Sequence, residues 1–189
     1  MTIESPYKFE HLGMGVYLID TKAFTDNRGY FMEAWNQKVF EENGIKADFN
    51  QYNVSESKKG VLRGLHFQKH PYGQAKMFRC VKGEIWDCCV DVRKGSPTFG
   101  QHVSATYSET DKKMMFVPAG FANAIIAMSD AILVYMVEGY HVSEAETGLQ
   151  ITDPDLDIKL PMPLEQILSS EKDKSWKPFS QLKAEMGME

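Results

Sequence analysis

The sequence predicts a mainly β protein, a sandwich or closed barrel with a few short helices on its outside. From about residue 14 to residue 142, short apolar runs alternate with turn residues such as Lys82-Gly83 and Pro118-Ala119-Gly120. Many short strands at this spacing are typical of sandwiches and barrels. The second observation is length: 189 residues fit one domain, 1–189, since a domain usually holds roughly 100 to 200 residues.

Nine strands are predicted, each bounded by turn signals. They cover residues 16–19, 30–35, 61–67, 77–81, 85–92, 102–107, 114–117, 122–128 and 131–137. Residues 36–43 (NQKVFEEN) predict a short helix between the second and third strands. After residue 143 the apolar alternation fades and prolines cluster at 154, 161 and 163. Residues 164–182 then predict one or two short helices packed on the outside.

Composition and charge exclude several function classes. A net charge of −5 without a basic stripe argues against a nucleic-acid partner. No run of 18 apolar residues occurs, so no membrane span is predicted. The first twenty residues lack the basic start and apolar block of a signal peptide, so a cytoplasmic location is expected. Cys80, Cys88 and Cys89 have neither disulfide-framework nor zinc spacing and are interpreted as small buried apolar residues.

The run at residues 60–68 (GVLRGLHFQ) carries more polar side chains than a strand core usually holds. On a regular strand Gly64, His66 and Gln68 share one face, which indicates a wet cavity there. Arg63 lies on the other face unless the strand bulges, and Gly64 is the obvious place for a bulge. The alternative is a hydrogen-bonded histidine in a barrel beside a surface arginine.

Other chemically active residues have plain structural interpretations when taken singly. Lys76 could enter the same cavity from a neighbouring strand, or lie exposed at a strand start. Tyr135 could be a core aromatic with its hydroxyl bonded. Asp173 could be the third residue of a capped helix. Asp87 and Asp91 share a face of an interior strand and would need cationic partners, for which two arginines are available, Arg79 and Arg93.

Metal ligands are sparse. A β-barrel metal site usually draws on closely spaced histidines and a carboxylate. His66 has no second histidine two positions on, and the other histidines (His11, His70, His102 and His141) lie in unrelated segments. No metal and no other cofactor is therefore expected.

Six blocks in order are specific enough to indicate a family. They are the run at 26–33 (DNRGYFME), Gln51-Tyr52-Asn53, the run at 61–68, Gln74-Ala75-Lys76 with the run at 90–93 (VDVR), the run at 96–100 (SPTFG) and the run at 118–122 (PAGFA). From about Gly15 to Asp173 the chain resembles the dTDP-4-dehydrorhamnose 3,5-epimerase family. The resemblance implies a cupin-type jelly roll acting on nucleotide-linked 4-keto sugars.

The resemblance also implies roles for the polar residues. It makes His66 the base, Asp173 its partner, Lys76 the group that steadies the enolate and Tyr135 the acid. Removing a proton next to a ketone gives a stabilised enolate, and a histidine is suited to that step near neutral pH. Arg28 and Arg63 are expected to hold the diphosphate. The expected nucleotide and sugar contacts are Phe31, Glu33, Gln51, Asn53, Asn123 and Tyr140.

The chain departs from the family after its Pro-x-Gly-Phe-Ala block, where histidine, glycine and phenylalanine are usual. Asn123, Ala124 and Ile125 stand there, so an amide that cannot titrate replaces a pocket histidine. Three hypotheses follow: an epimerase acting at C3, C5 or both on a dTDP, CDP or GDP 4-keto-6-deoxy sugar, a binding protein that has lost turnover, and a metal-dependent cupin enzyme. The family is typically dimeric, so a homodimer is expected, and the strand at 16–19 could exchange between partners.

Overall fold

Fourteen strands and three α-helices make up the structure, a computed structural model that describes residues 5–188. The early elements are β1 (Tyr7–Gly13), β2 (Val16–Thr21), β3 (Phe24–Asp26), β4 (Gly29–Phe31), α1 (Gln37–Glu42), β5 (Phe49–Ser57), β6 (Val61–Gln68) and β7 (Lys76–Lys82). The later ones are β8 (Glu84–Asp91), β9 (His102–Ser108), β10 (Met114–Val117), β11 (Phe121–Ala127), β12 (Ala131–Glu138), β13 (Glu146–Gly148), β14 (Leu168–Ser169), α2 (Glu171–Lys174) and α3 (Phe179–Glu185).

Two sheets form a sandwich, which confirms the mainly β, cupin-type fold class. The first sheet has the strand order β1-β2-β10-β7-β12-β5, and the second has the order β13-β6-β11-β8-β9, with β14 added beside β6. Strands β3 and β4 form a separate hairpin. The inner faces of the two sheets share one apolar cluster that includes Phe78 and Leu133 of the first sheet and Ile85, Tyr107 and Phe121 of the second.

The outer faces of both sheets are covered by other parts of the chain. Phe40 of α1 packs with Met77 and Phe116 on the outside of the first sheet. The C-terminal segment covers the second sheet, where Phe179 and Leu182 of α3 are buried in a cluster with the outward residues of β6, β8 and β11. The prediction of a short outer helix near the C-terminus is thus confirmed for α3, which ends later than expected. Helix α2 forms as well, but its Lys172 and Asp173 line a cavity.

Most predicted elements are confirmed, one predicted strand is too long, and five strands within residues 5–188 were not predicted. Helix α1 begins after Asn36, whose side chain accepts a hydrogen bond from the backbone N–H of Val39 at 3.3 Å, as N-cap residues do. The prediction of a strand over 30–35 is wrong beyond Phe31, because β4 ends there and pairs only with β3. The strands that were not predicted are β1, β3, β5, β13 and β14.

Strand β5 was not predicted because its half-buried face is polar and its exposed face carries apolar side chains. Its residues alternate regularly between half-buried and exposed, but the half-buried set is mostly polar and includes Gln51 and Asn53. The exposed set includes Tyr52 and Val54, which are 64% and 65% exposed. The usual rule assumes an apolar face toward a dry core. Here the inward face lines a polar cavity, so the rule fails.

A β-bulge lies in β6, as the sequence predicted. The pairing of β6 with β11 changes register between Asn123, opposite His66, and Ile125, opposite Arg63. Gly64 has a φ of +122°, which favours glycine. A Cβ there would also collide with the backbone of β11, at 2.6 Å from the Cα of Ala124. The bulge turns both Arg63 and His66 toward the space between the sheets.

Other predictions concern cysteines and membranes. Cys80, Cys88 and Cys89 are free and buried, which confirms their interpretation as small apolar core residues. No helix within residues 5–188 has the length and apolar character needed to cross a membrane.

Candidate active site

Two adjoining cavities open between the sheets, with volumes of about 560 and 490 Å³. Four side chains line both cavities, from β6, β7, β12 and α2: His66, Lys76, Tyr135 and Lys172. Three of these four are the residues expected to act as base, enolate-stabilising cation and acid. The structure therefore brings together groups that lie far apart in the sequence.

His66 is paired with Asp173 from α2. The His66 Nε2 lies 2.5 Å from Asp173 Oδ1, and the carboxylate side chain is only 6% exposed. Because a carboxylate only accepts, the neutral imidazole carries its proton on Nε2 and keeps Nδ1 as its basic nitrogen. The indole of Trp176 lies edge-on to the imidazole, with ring centroids 5.5 Å apart. These contacts fix the ring and its tautomer.

Asp173 owes its position to the start of α2. Ser170 caps this helix by accepting the N–H of Asp173 at 3.1 Å, and its hydroxyl donates to Asp173 Oδ2 at 2.8 Å. Trp176 Nε1 donates to the other carboxylate oxygen at 3.2 Å. The interpretation of Asp173 as the third residue of a capped helix is thus correct, and the same residue also supports His66.

Burial and charge set the protonation states of this pair. Burial lowers the pKa of His66 below 6.5, although Asp173 opposes the shift. Burial acts to raise the pKa of Asp173, but hydrogen bonds from Ser170 and His66 outweigh it, so that the pKa falls below 3.8. Near neutral pH, His66 is therefore an uncharged imidazole held by a charged carboxylate, which is the state a general base requires.

Lys76 faces the cavities without a protein partner. Its ammonium group forms no ion pair or hydrogen bond within residues 5–188, and burial lowers the pKa of the amine. The negative charges of Asp87 and Glu146 partly oppose that shift. A cation held without a partner in an enclosed site is suited to stabilise negative charge that develops on a ligand.

Tyr135 lies across the cavity from β6, on β12. Its ring packs against Phe78 with centroids 5.3 Å apart, and it lines both cavities instead of being sealed in the core. Burial raises the pKa of its hydroxyl above 10.0, while Arg63 and Asn53 act in the other direction. The hydroxyl is therefore protonated at neutral pH and can donate a proton.

A second carboxylate supports Asn123, which stands where the family resemblance predicted a histidine. Asn123 Nδ2 donates to Asp87 Oδ1 at 2.5 Å, and Tyr107 donates its hydroxyl to Asp87 Oδ2 at 2.8 Å. Burial raises the pKa of Asp87 from 3.8 to about 7. Within residues 5–188 no arginine pairs with Asp87, whereas Arg93 contacts Asp91 at 2.6 Å.

Three further predicted residues lie at the cavities. Arg63 lines the larger cavity and donates to Ser57 Oγ at 3.1 Å and to the Glu56 carbonyl at 3.0 Å. Gln51 and Asn53 line the smaller cavity from β5. Gln51 donates to Asn53 Oδ1 at 3.0 Å.

Four predicted residues do not line either cavity of their own chain. Arg28 and Phe31 lie on the β3–β4 hairpin, with Phe31 71% exposed, and Arg28 pairs with the nearby Asp26. Glu33 accepts the Tyr7 hydroxyl at 2.9 Å. Tyr140 is 72% exposed.

Sequence reasoning missed Glu146 and Lys172. Both line the smaller cavity, and Lys172 Nζ lies 2.7 Å from Glu146 Oε1. Glu146 begins β13, which pairs with β6 at Gln68. The only sequence signal was that Lys172 stands next to Asp173. In the part of the chain that the structure describes, no three His, Cys, Asp or Glu side chains are grouped to hold a metal ion.

The fold and site together define a cupin-type sandwich protein with acid–base groups facing a polar cavity. Comparison with known proteins is consistent with this class. The sequence profile of the dTDP-4-dehydrorhamnose 3,5-epimerase family matches residues 13–181. The chain belongs to that family.

Individual relatives cover most of the chain. The Shigella flexneri protein called dTDP-4-dehydrorhamnose 3,5-epimerase is 44% identical to this chain over 166 residues. The match covers 87% of this chain and 91% of that protein. The one from Methanothermobacter thermautotrophicus is 42% identical over 168 residues, covering 87% and 90%. A crystal structure of dTDP-6-deoxy-D-glucose-3,5-epimerase from Legionella pneumophila, in complex with dTDP-4-keto-L-rhamnose, superposes with a TM-score of 0.89 at 37% identity, covering 95% and 96% of the two chains.

Proposed function

We propose that the protein epimerises a dTDP-linked 4-keto-6-deoxy hexose at C3 and C5. The observation that carries the proposal is the His66–Asp173 pair, which faces a cavity shared with Lys76 and Tyr135. Family membership supports the substrate class, since the similar enzymes are called dTDP-sugar 3,5-epimerases. The reaction belongs to the synthesis of deoxysugars, and the proposal assigns it to one domain, 1–189.

The first step is proton abstraction by His66. Protons on C3 and C5 lie next to the C4 ketone, so the electron pair of the broken C–H bond moves onto O4 as an enolate. The Nδ1 of His66 accepts the proton, and Asp173 stabilises the imidazolium that forms. Lys76 supplies a positive charge for O4 as the negative charge grows there.

Inversion is completed by Tyr135. The enolate must regain a proton on the face opposite the base, and Tyr135 lies on the first sheet while His66 lies on the second. The tyrosine hydroxyl gives its proton to the carbon, the C4 ketone re-forms, and the two residues exchange protons with water before the next event. Each step transfers only protons, so the proposal requires neither a redox cofactor nor a metal.

We also propose a homodimer in which the β3–β4 hairpin of one copy reaches the cavity of its partner. In its own chain the hairpin lies on the far side of the first sheet, because Tyr30 accepts a hydrogen bond from Arg79 Nη2 at 3.3 Å. Arg79 follows Phe78 on β7, and Phe78 lines the cavity, so the two side chains point to opposite faces. Arg28 would bind the diphosphate of the partner's substrate.

Exposed apolar residues support a dimer through this outer face. Tyr52 and Val54 of β5 are 64% and 65% exposed, although Val54 also borders the smaller cavity. Tyr30 and Phe31 of the hairpin are 51% and 71% exposed. A group of large exposed apolar side chains is typical of an interaction surface. We infer a cytoplasmic location as well, which the three free thiols support.

The proposed reaction is tested by incubation in D₂O with dTDP-4-keto-6-deoxyglucose, followed by NMR at each ring carbon. We expect deuterium at C3 and C5 and formation of the inverted product. Uptake at a single carbon would replace the proposal with a C3-only or C5-only epimerase. Saturable binding without uptake at any carbon, for the dTDP sugar and its CDP and GDP analogues, would instead identify a binding protein.

The shared site is tested by mixing two inactive variants, Arg28→Ala and His66→Ala. If the hairpin serves the partner's cavity, a hybrid dimer has one intact site, and an equal mixture that exchanges subunits regains about a quarter of wild-type activity. Lys8→Ala mixed with His66→Ala is the control, because Lys8 is exposed on β1. No regain in the Arg28 mixture, with hybrid dimers present by mass spectrometry, would show that Arg28 acts within its own chain.

A further inference from the structure

Asn123 presents a fixed hydrogen-bond acceptor to the larger cavity. The side chain lines that cavity and is 6% exposed. Both hydrogens of its Nδ2 are directed at oxygen acceptors, Asp87 Oδ1 at 2.5 Å and the Cys88 carbonyl at 3.3 Å. The Cys88 carbonyl can only accept, and Asp87 accepts while it is ionised, so the nitrogen faces them and the orientation of the amide is decided by its surroundings.

The carbonyl oxygen of Asn123 consequently has no hydrogen-bond partner among residues 5–188. No hydrogen bond to Asn123 Oδ1 occurs within residues 5–188, and this atom is not among the unpartnered side-chain atoms sealed from solvent there, which are Thr21 Oγ1 and Arg79 Nε. It is therefore available to a ligand in the cavity. A buried acceptor without a partner favours a ligand that donates.

This acceptor is also rigid. Asp87 is fully buried and is held on its other oxygen by the Tyr107 hydroxyl at 2.8 Å. Asn123 is paired in register with His66 on β6 and with Cys89 on β8, so both neighbours of its strand restrain the backbone. An acceptor that needs no rearrangement on binding can discriminate between ligands by a single hydrogen bond.

We infer that Asn123 Oδ1 accepts a hydrogen bond from the C3 hydroxyl of the sugar and so selects sugars that carry a hydroxyl at that carbon. The inference rests on the proposed function. Lys76 and Asn123 line the same cavity, and Lys76 is within electrostatic reach of Asp87, the partner of Asn123. An acceptor cannot bind the ketone oxygen, which is itself an acceptor. Of the two carbons next to the ketone only C3 carries a hydroxyl, since C5 carries the methyl group.

The consequence concerns specificity. A histidine at this position would accept or donate according to its protonation state, whereas the amide of Asn123 can only accept here, because both of its N–H groups are used within the protein. While the Asn123 nitrogen faces Asp87 and the Cys88 carbonyl, the site favours a hydrogen-bond donor on the sugar. Sugars without a hydrogen-bond donor at C3 should bind and react poorly.

The test combines two enzyme forms with three ligands. Wild type and Asn123→Ala are compared with dTDP-4-keto-6-deoxyglucose and with its 3-deoxy and 2-deoxy analogues, by dissociation constant and by deuterium uptake at C5, which does not need the C3 hydroxyl. For wild type we expect removal of the C3 hydroxyl to weaken binding and kcat/KM about tenfold. For Asn123→Ala the same removal should change either value less than twofold.

Several outcomes would overturn the inference. It fails if wild type binds the 3-deoxy analogue as well as the parent, or if Asn123→Ala discriminates between the two as strongly as wild type does. A loss confined to the 2-deoxy analogue would overturn the assignment to C3. Because the wild-type comparison needs no variant, a folding defect in Asn123→Ala does not block the test. Asn43→Ala, at the exposed end of α1, is the matched control.

The two proposals fail in different ways. If wild type shows no deuterium uptake with the parent sugar, the proposed epimerase activity is wrong. The dissociation constants then still decide whether Asn123 recognises the C3 hydroxyl, because binding does not depend on turnover.

Discussion

His66 and Asn123 face each other in register on neighbouring strands, and each is held by a carboxylate, yet the two pairs have different chemistry. Asp173 holds an imidazole that can gain and lose a proton near neutral pH. Asp87 holds an amide that does not titrate in this range. One side of the cavity can therefore move protons, while the other offers a hydrogen-bonding group that does not change with pH.

Asp173 and Asp87 also differ in the hydrogen-bond donors that they receive. Asp173 receives donors from Ser170, Trp176 and His66, which outweigh burial and keep its pKa low. Asp87 receives two neutral donors in the core of the sandwich, and burial raises its pKa to about 7. A carboxylate can therefore support proton transfer only when its partner can titrate and the carboxylate itself stays charged.

The largest effect is expected from replacing His66, the residue that takes up and releases the proton. His66→Ala should lower deuterium uptake at C3 and at C5 by about 10³-fold or more, since general bases contribute up to about 10⁴-fold. NMR in D₂O measures both carbons in one sample. His102→Ala, on β9, is the control. Uptake at one carbon at the wild-type rate would show that a second base exists. His66 would then not be the residue that distinguishes its side of the cavity from that of Asn123.

Tyr135→Phe separates the two faces of the sugar. Removing the hydroxyl takes away the acid, so formation of inverted product should fall about 10²-fold, while uptake from the His66 side is partly retained. The ratio of deuterium uptake to inversion, followed by NMR, gives the result. An equal loss of both would assign Tyr135 to positioning instead of proton donation.

Asp173→Asn should have a smaller effect, about tenfold or somewhat more on kcat/KM, because His66 remains but loses its charged partner. The wild-type acid limb is expected below pH 6.5, since the pKa of His66 is lowered and activity is lost as the base becomes protonated. Without the negative charge of Asp173 that pKa falls further, so the limb moves to lower pH. A pH profile of kcat/KM checks this, and a limb that moves upward would contradict the assignment.

The smallest effect is expected when Asn123 is replaced by histidine, a residue that titrates. In Asn123→His, one ring nitrogen can donate to Asp87. The other nitrogen can accept a hydrogen bond from the sugar, but only while the ring is neutral. We expect sugar affinity to weaken severalfold at low pH, with little change at high pH, whereas wild-type affinity shows no such ionisation at this residue. Dissociation constants at a series of pH values decide it. A profile identical to wild type would contradict the role given to Asn123.

Much of the fold could be predicted from local patterns. The strands of the dry core were predicted correctly because each turns an apolar face toward the core. The helix cap at Asn36 was predictable because it is a local signal. Gly64 could be singled out as the place for a bulge, since Arg63 and His66 would face the same cavity only if the strand bulged between them. Strand β5 could not be predicted, since its inward residues Gln51 and Asn53 face a wet cavity and only the cavity explains them.

Of the site, the sequence by itself determined which residue types are present: a histidine, a lysine, a tyrosine and an aspartate in recognisable blocks, with an amide where a histidine is usual. Tertiary structure decided which of them meet. It joined Asp173 to His66 across more than a hundred residues of chain and added Glu146 and Lys172. It also left Arg28 on the far side of the sheet and fixed which end of the Asn123 amide faces the cavity. Motifs report side-chain chemistry, whereas distance, burial and hydrogen-bond direction arise only when separate strands pack together.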